Sequence, residues 1–310
     1  MDTARCVACY RQWIAGQESG LGELEAASAN AASGLATDAD LRAAVDRCMA
    51  AYQDYAARRR ALSLSRDAAA PAFFSPPWCT AFENSVLWLD GCRPTLAIRL
   101  LYSLCGEGLE AQLDEFINGD VAPVQAGMGM GMGMGVTAAQ LALVNELHQR
   151  TLRQEGALTE RLATLQEDIA DRPLLPIVRE RERERATATV LGAAGAVCDD
   201  GFVGRVGVAA AAGPGGVVVD AEVDAAMESY RAGLARLLAE ADELRMATAR
   251  ALVTEILTPR QALEMLMAAK QLHLSVRDWS RRREAGSGQL EPARTTVTAA
   301  SSSAAVCPVP

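Results

Sequence analysis

The sequence is short of histidine, lysine, aromatic rings and long apolar runs, and each shortage excludes something. His148 and His273 are the only imidazoles, so acid–base catalysis would rest almost wholly on carboxylates. There is no GxSxG elbow, no phosphate-cradling GxxxxGK and no HExxH, and an enzyme is not expected. Of eight cysteines only Cys6 and Cys9 form a CxxC. No second pair or nearby histidine completes a zinc site, and no metal or catalytic residue is assigned. Lys270 is the sole lysine; the arginines mostly alternate with acids, as on solvated helix faces.

The most apolar stretch, residues 186–219, is broken by Asp199, Asp200, Arg205 and several glycines, so no membrane span is expected. The opening MDTARCVACYRQW carries no apolar run fit for a signal peptide, and an intracellular protein with reduced thiols is the expectation. A formal charge of −9 and a pI near 5.0 argue against phosphate-backbone binding as the main activity. Aromatics make up only 5% of the chain; alanine and leucine dominate, which favours helix.

What is present is helical periodicity. Tyr10, Trp13, Ile14, Gln17, Leu21 and Leu24 share one face of a first helix. Leu41, Val45, Cys48, Met49, Tyr52, Tyr55 and Leu62 do the same over about 38–66. Thr80 and Glu83 have capping-box spacing, and Thr80 starts a short helix ending near the Asp90-Gly91 turn. Arg93-Pro94 opens the next helix, with a further short one over 109–117.

Thr137 and Gln140 form a second capping box ahead of Val144, His148, Thr151, Glu155, Leu158, Leu162, Leu165 and Ile169. A matching stripe runs through Val223, Met227, Tyr230, Leu234, Leu237, Ala241, Leu244 and Thr248. Two long antiparallel helices are expected to pair through these stripes, within the chain or in a homodimer; the polar interruptions favour intrachain packing. Asp171-Arg172-Pro173 ends the first of them. RERERER at 179–185 reads as a solvated helix face or disorder, and Val217-Val218-Val219 suits a short extended segment. Thr258, Pro259 and Gln261 mark the start of the last helix, with Ala262, Leu266, Ala269, His273 and Val276 on one stripe.

The expected fold is all-α: a compact bundle of about seven or eight helices over 1–284, with flexible loops near 119–136 (around GMGMGMGMG) and 173–219, and a disordered tail over 285–310. Phe73, Phe74, Pro76, Pro77, Trp78 and Trp88 line either a recognition surface or the core; the core is favoured for Trp78 and Trp88.

The segment FFSPPWCTAFENSVLWLDGCRPTLAIRLLYSLCG resembles the central signature of the plant Delay-of-Germination domain, at Trp78, Glu83, Leu87, Trp88, Gly91, Arg93 and Pro94. The resemblance continues in YRQW, LHQRTLRQEGALTERLATLQEDIADRPL and LARLLAEADELRMATARALVTEILTPRQALEMLMAAKQLHLSVRDW. It spans Tyr10 to Arg283, apart from the methionine-glycine run and much of 173–216. It implies a regulator of seed dormancy and abscisic-acid signalling, found in nucleus and cytoplasm, that binds type 2C protein phosphatases. The same domain ends the TGA-type bZIP transcription factors. The alternative is therefore a transcriptional regulator engaging DNA directly or through a bZIP partner; no basic region precedes Tyr10, so direct DNA binding is not expected. The resemblance also implies haem on a histidine pair in the LHLSxHxW pattern. His273 matches the first position, but the second is Arg277. A guanidinium stays protonated and cannot ligate iron, so weak or absent haem binding is expected.

Overall fold

The computed structural model describes residues 3–64, 70–117, 135–194 and 214–287. The expected methionine-glycine loop, residues 195–213 and the tail beyond Ser287 lie outside them. Among the described residues there are eight separate helical rods and no strand: α1 (Thr3–Ala32), α2 (Asp38–Ser63), α3 (Ala70–Phe74), α4 (Ala81–Val86), α5 (Pro94–Ile117), α6 (Ala138–Ile169) running on into α7 (Leu175–Ala194), α8 (Pro214–Arg250) with a terminal π turn, and α9 (Pro259–Ser287). No described helix is long and apolar enough to cross a membrane.

One local device starts four of these rods. Thr37, Thr80, Thr137 and Thr258 each accept a hydrogen bond from the backbone N–H three residues on, while Asp40, Glu83, Gln140 and Gln261 accept from the threonine N–H. Two of the orphan donors at each helix start are thereby satisfied. Gly34, at φ +71°, closes α1 in the left-handed conformation glycine takes without strain. It lets α2 fold back along α1.

The paired stripes of α6 and α8 meet within the chain. Thr151 and Thr248 hydroxyls are 3.3 Å apart, and Arg161 forms a two-point ion pair with Glu240. These pairs fix an antiparallel register, along which Leu158, Leu162 and Leu165 pack with Leu237, Ala241 and Leu244. Gly233 leaves room for Leu165: a Cβ there would meet both Leu165 methyl carbons at 2.8 Å. Gly233→Ala is expected to cost about 1 kcal/mol, because Leu165 must leave its rotamer. A lowered urea midpoint in Gly233→Ala that Leu165→Ala partly restores would bear this out.

The largest core cluster draws Leu24 from α1, Val45 from α2, Ile98 and Leu101 from α5, Val144 from α6, and Leu263 from α9 around Leu252 and Val253. Each such side chain contributes about 1.5–3 kcal/mol on burial. Leu252 and Val253 lie in the π turn Ala251–Ile256 that ends α8. The widened turn frees carbonyls, and side chains receive them: Gln140 donates to the Ile256 carbonyl at 2.8 Å and Arg42 to that of Thr254 at 3.4 Å.

Three expectations are corrected. Pro173 does not end α6: a π turn, Ala170–Leu174, with the Leu175 N–H reaching the Ala170 carbonyl, takes up the proline and the rod continues as α7. RERERER therefore lies on a helix, the first of its two expected readings. Val217, Val218 and Val219 lie inside α8, not in an extended segment; β-branched residues lose only a few tenths of a kcal/mol in a helix. The separate helix expected over 109–117 is the continuation of α5.

Candidate functional site: the signature loop and its buried ion pairs

Four of the signature residues, Trp88, Gly91, Arg93 and Pro94, are brought to one place by a hairpin turn between α4 and α5. Trp88 and Gly91 exchange both backbone hydrogen bonds, at 2.8 and 3.1 Å. The central residues Leu89 and Asp90 both have positive φ, 47° and 56°, the mirror-image turn that ordinarily wants Asn or Gly. A left-handed leucine costs about 1–2 kcal/mol, and two arginines hold it there. Arg59 of α2 donates to the Asp90 carbonyl, and Arg245 of α8 donates to the carbonyls of Trp88, Leu89 (2.8 Å) and Cys92 (2.8 Å). Gly91 is needed for this approach rather than for its φ: a Cβ would sit 2.7 Å from the Arg245 guanidinium carbon.

The two arginines also meet two acids. Arg59 pairs with Asp90 at 3.0 Å and with Asp242, and Arg245 pairs with Asp242 at 2.6 Å. Burial pushes the Asp90 carboxyl up to about 7 against the pull of Arg59 and then Arg245. Asp90 therefore has a folded-state pKa above the unfolded value of about 3.9. Its contribution to stability is full below about 3.9 and is lost as pH rises through about 7. Asp90→Asn is expected to gain stability relative to the parent as pH goes from 5 to 8. A pH-independent difference in urea midpoints would sink this assignment.

Next to the turn, the Trp88 indole N–H donates to Thr159 at 3.0 Å, and the guanidiniums of Arg93 and Arg245 lie over its ring. Glu155 of α6 is almost fully buried. It accepts from the Thr95 N–H at 2.7 Å and the Thr95 hydroxyl at 3.1 Å, and pairs with Arg93 at 3.5 Å. Arg93-Pro94 thus opens α5 with its first free N–H aimed at a carboxylate, where the helix dipole favours negative charge.

A second buried pair ties α4 to α9 and α1. Arg277 donates to Glu83 and to the Tyr10 hydroxyl, both at 2.9 Å, and lies over the Tyr10 ring. Burial pushes Glu83 up, but the Thr80 N–H and Arg277 outweigh it and hold the carboxyl below its usual range. Burial likewise raises the Tyr10 phenol, and the neighbouring Cys79 thiol goes to about 11. The haem ligand pair does not fit here. Arg277 is committed to Glu83 and Tyr10, while His273 stands exposed on α9.

This also corrects the stripe expected for α9. Its first members, Ala262 and Leu266, are buried as expected, but the inward face continues through Lys270, Arg277 and Ser280, beside Leu263, and His273 is not on it. Lys270 is 1% exposed. Its ammonium donates to Gln17 at 2.9 Å, while Tyr52 donates to the same oxygen at 3.2 Å. Burial lowers the Lys270 pKa, with Cys48 and Glu23 acting in the opposite direction.

Of the residues singled out from the sequence, Trp78 is half-buried against Tyr10 and Phe73, Leu87 is half-buried at the end of α4, and Trp88 and Phe73 are core. His148 is half-buried beside Tyr102. The aromatic-proline cluster is therefore largely interior. The exposed ring pair is Phe82 with Trp279, which sequence reasoning missed. No group of three His, Cys, Asp or Glu is placed to hold a metal ion among the described residues.

Comparison with known proteins agrees with the resemblance. A family model described as seed dormancy control matches residues 20–103, the stretch from mid-α1 through the turn into α5. Protein DOG1-like 3 of Arabidopsis thaliana is 32% identical over 279 residues, covering 89% of this chain and 84% of the relative. Protein DOG1-like 2 of the same plant is also 32% identical, over 88% and 89%. Protein RESPONSE TO ABA AND SALT 1, again from Arabidopsis thaliana, is 26% identical over 76% and 75%.

Proposed function

The chain belongs to the DOG1 seed dormancy control family, and from that premise we propose that it is a non-enzymatic plant regulator of seed dormancy and abscisic-acid response that works by binding type 2C protein phosphatases. The names of its relatives support the dormancy and hormone side. The observation that carries the non-enzymatic side is how its buried charges are spent. Arg59, Asp90, Asp242, Arg245, Glu83, Arg277, Glu155 and Lys270 are each held by one another or by backbone and side-chain partners from other helices. Buried groups of that kind hold a scaffold in register rather than activate a substrate. Action would lie in nucleus and cytoplasm.

The test is affinity capture of the tagged full chain from seed extract with mass spectrometry, followed by binding of the purified phosphatase. Recovery of type 2C phosphatases that then bind the pure chain is expected. Recovery of bZIP factors without phosphatases would replace this reading with transcriptional co-regulation. Recovery of neither would overturn both.

A further inference from the structure

We propose that the outer face of α9, together with Phe82 and Val86 of α4, is the surface on which a partner protein docks an acidic segment that carries a bulky apolar side chain. The proposal rests on the protein-binding reading and locates the surface it needs.

Leu272, Val276, Trp279 and Arg283 follow at steps of four, three and four, which places them on one helix face about 16 Å long. That face points away from the one burying Leu263, Leu266, Lys270 and Arg277. Leu272 is 54% and Trp279 44% exposed, and Trp279 is the exposed member of four tryptophans. Beside it Phe82 stands edge-on, centroids 5.0 Å apart, with Val86 one turn further along α4 and 53% exposed.

The two helices of the patch are tied together, α4 to α9, by the Glu83–Arg277 pair and by the Ala81 N–H donating to Glu284 at 2.7 Å. An exposed tryptophan loses little entropy on association, and such residues dominate binding energy at interfaces.

Charge selects the occupant. The chain carries −9 overall, yet Arg283 ends this face and Arg282 flanks it, with Arg281 on the opposite side of the helix. Arg283 lies 5.2 Å over the Trp279 ring, and Arg282 is shared with Asp278 at 2.8 Å. An apolar track ending in guanidiniums suits an apolar side chain followed by carboxylates. A second copy docked symmetrically would bring its own arginines against these, which disfavours that occupant.

The test uses the full chain and two fluorescent peptides, acetyl-Asp-Glu-Leu-Phe-Asp-Glu-amide and its charge-inverted form acetyl-Lys-Arg-Leu-Phe-Lys-Arg-amide. The acidic peptide is expected to bind at least tenfold more tightly than the basic one. Trp279→Ala and Arg283→Glu, both at surface positions, are each expected to weaken it at least tenfold while the circular dichroism melt stays unchanged. Equal binding of the two peptides, or acidic-peptide affinity untouched by either variant, overturns the proposal. So does a Trp279-dependent dimer in sedimentation. Purified phosphatase is measured alongside. If it binds the parent and both variants equally, this surface is wrong and the protein-binding function stands. If it binds none while the acidic peptide still discriminates, the surface stands and the phosphatase assignment falls.

Discussion

Arg59→Ala is expected to lower the stability of the fold by about 3–5 kcal/mol, the cost of breaking a buried ion pair from one side. Arg59 is 5% exposed and donates to both Asp242 oxygens, to the Asp90 carboxylate and to the Asp90 carbonyl. Its loss leaves two buried carboxylates with Arg245 alone, and it releases one of the restraints on a turn whose central residues sit at positive φ. Against a typical folding stability of about 5–15 kcal/mol, that is at least about a fifth of the total. The neighbouring Arg60 is the control. It pairs with Glu243 at 3.2 Å in the open, with side chains 55% and 68% exposed, and such pairs contribute about 1 kcal/mol at most. Urea unfolding followed by circular dichroism should therefore show a large midpoint shift for Arg59→Ala and a small one for Arg60→Ala. Similar shifts would mean that the Arg59 network carries no special weight.

Arg277→Ala is expected to cost about 3 kcal/mol for the same reason, since it strands Glu83 in the interior and removes a donor from the Tyr10 hydroxyl. His273→Ala, one turn away at an exposed position, should change stability by less than about 0.5 kcal/mol. The contrast between the two is the sharpest test of the phase of α9. A pH signature goes with it. Glu83 has a folded pKa held below its unfolded value of about 4.3. Its contribution is present above that value and lost as pH falls through the depressed folded one. Arg277→Ala should flatten this acid limb of the stability curve. A double-mutant cycle with Glu83→Gln should return a coupling above about 1 kcal/mol; additivity would show that the two residues act separately.

The helix starts were legible because a capping box is a local object: both partners lie three residues apart, and no tertiary knowledge is needed to see Thr80 with Glu83 or Thr258 with Gln261. The antiparallel pairing of α6 and α8 was legible because its stripes persist over many turns. The continuation through Pro173 was not, since whether a proline stops a helix or is taken up by a π turn depends on what the rod packs against. The phase of α9 was missed for a related reason. Buried cations are rare without partners, and the partners that let Lys270 and Arg277 turn inward, Gln17 and Glu83, are 253 and 194 positions distant in sequence.

Composition, periodicity and local capping thus determined that this chain is all-helical, which helices pair, and through the signature which family it belongs to. The tertiary structure decided the role of the signature itself. Trp88, Gly91, Arg93 and Pro94 form a turn clamped by Arg59, Arg245 and Glu155, and Glu83 anchors α9 through Arg277. It also decided which rings face outward, turning Trp279 out beside Phe82. Charge pairing in a low-dielectric interior depends on which distant residues the fold brings within about 3 Å, and no spacing along the chain encodes that distance.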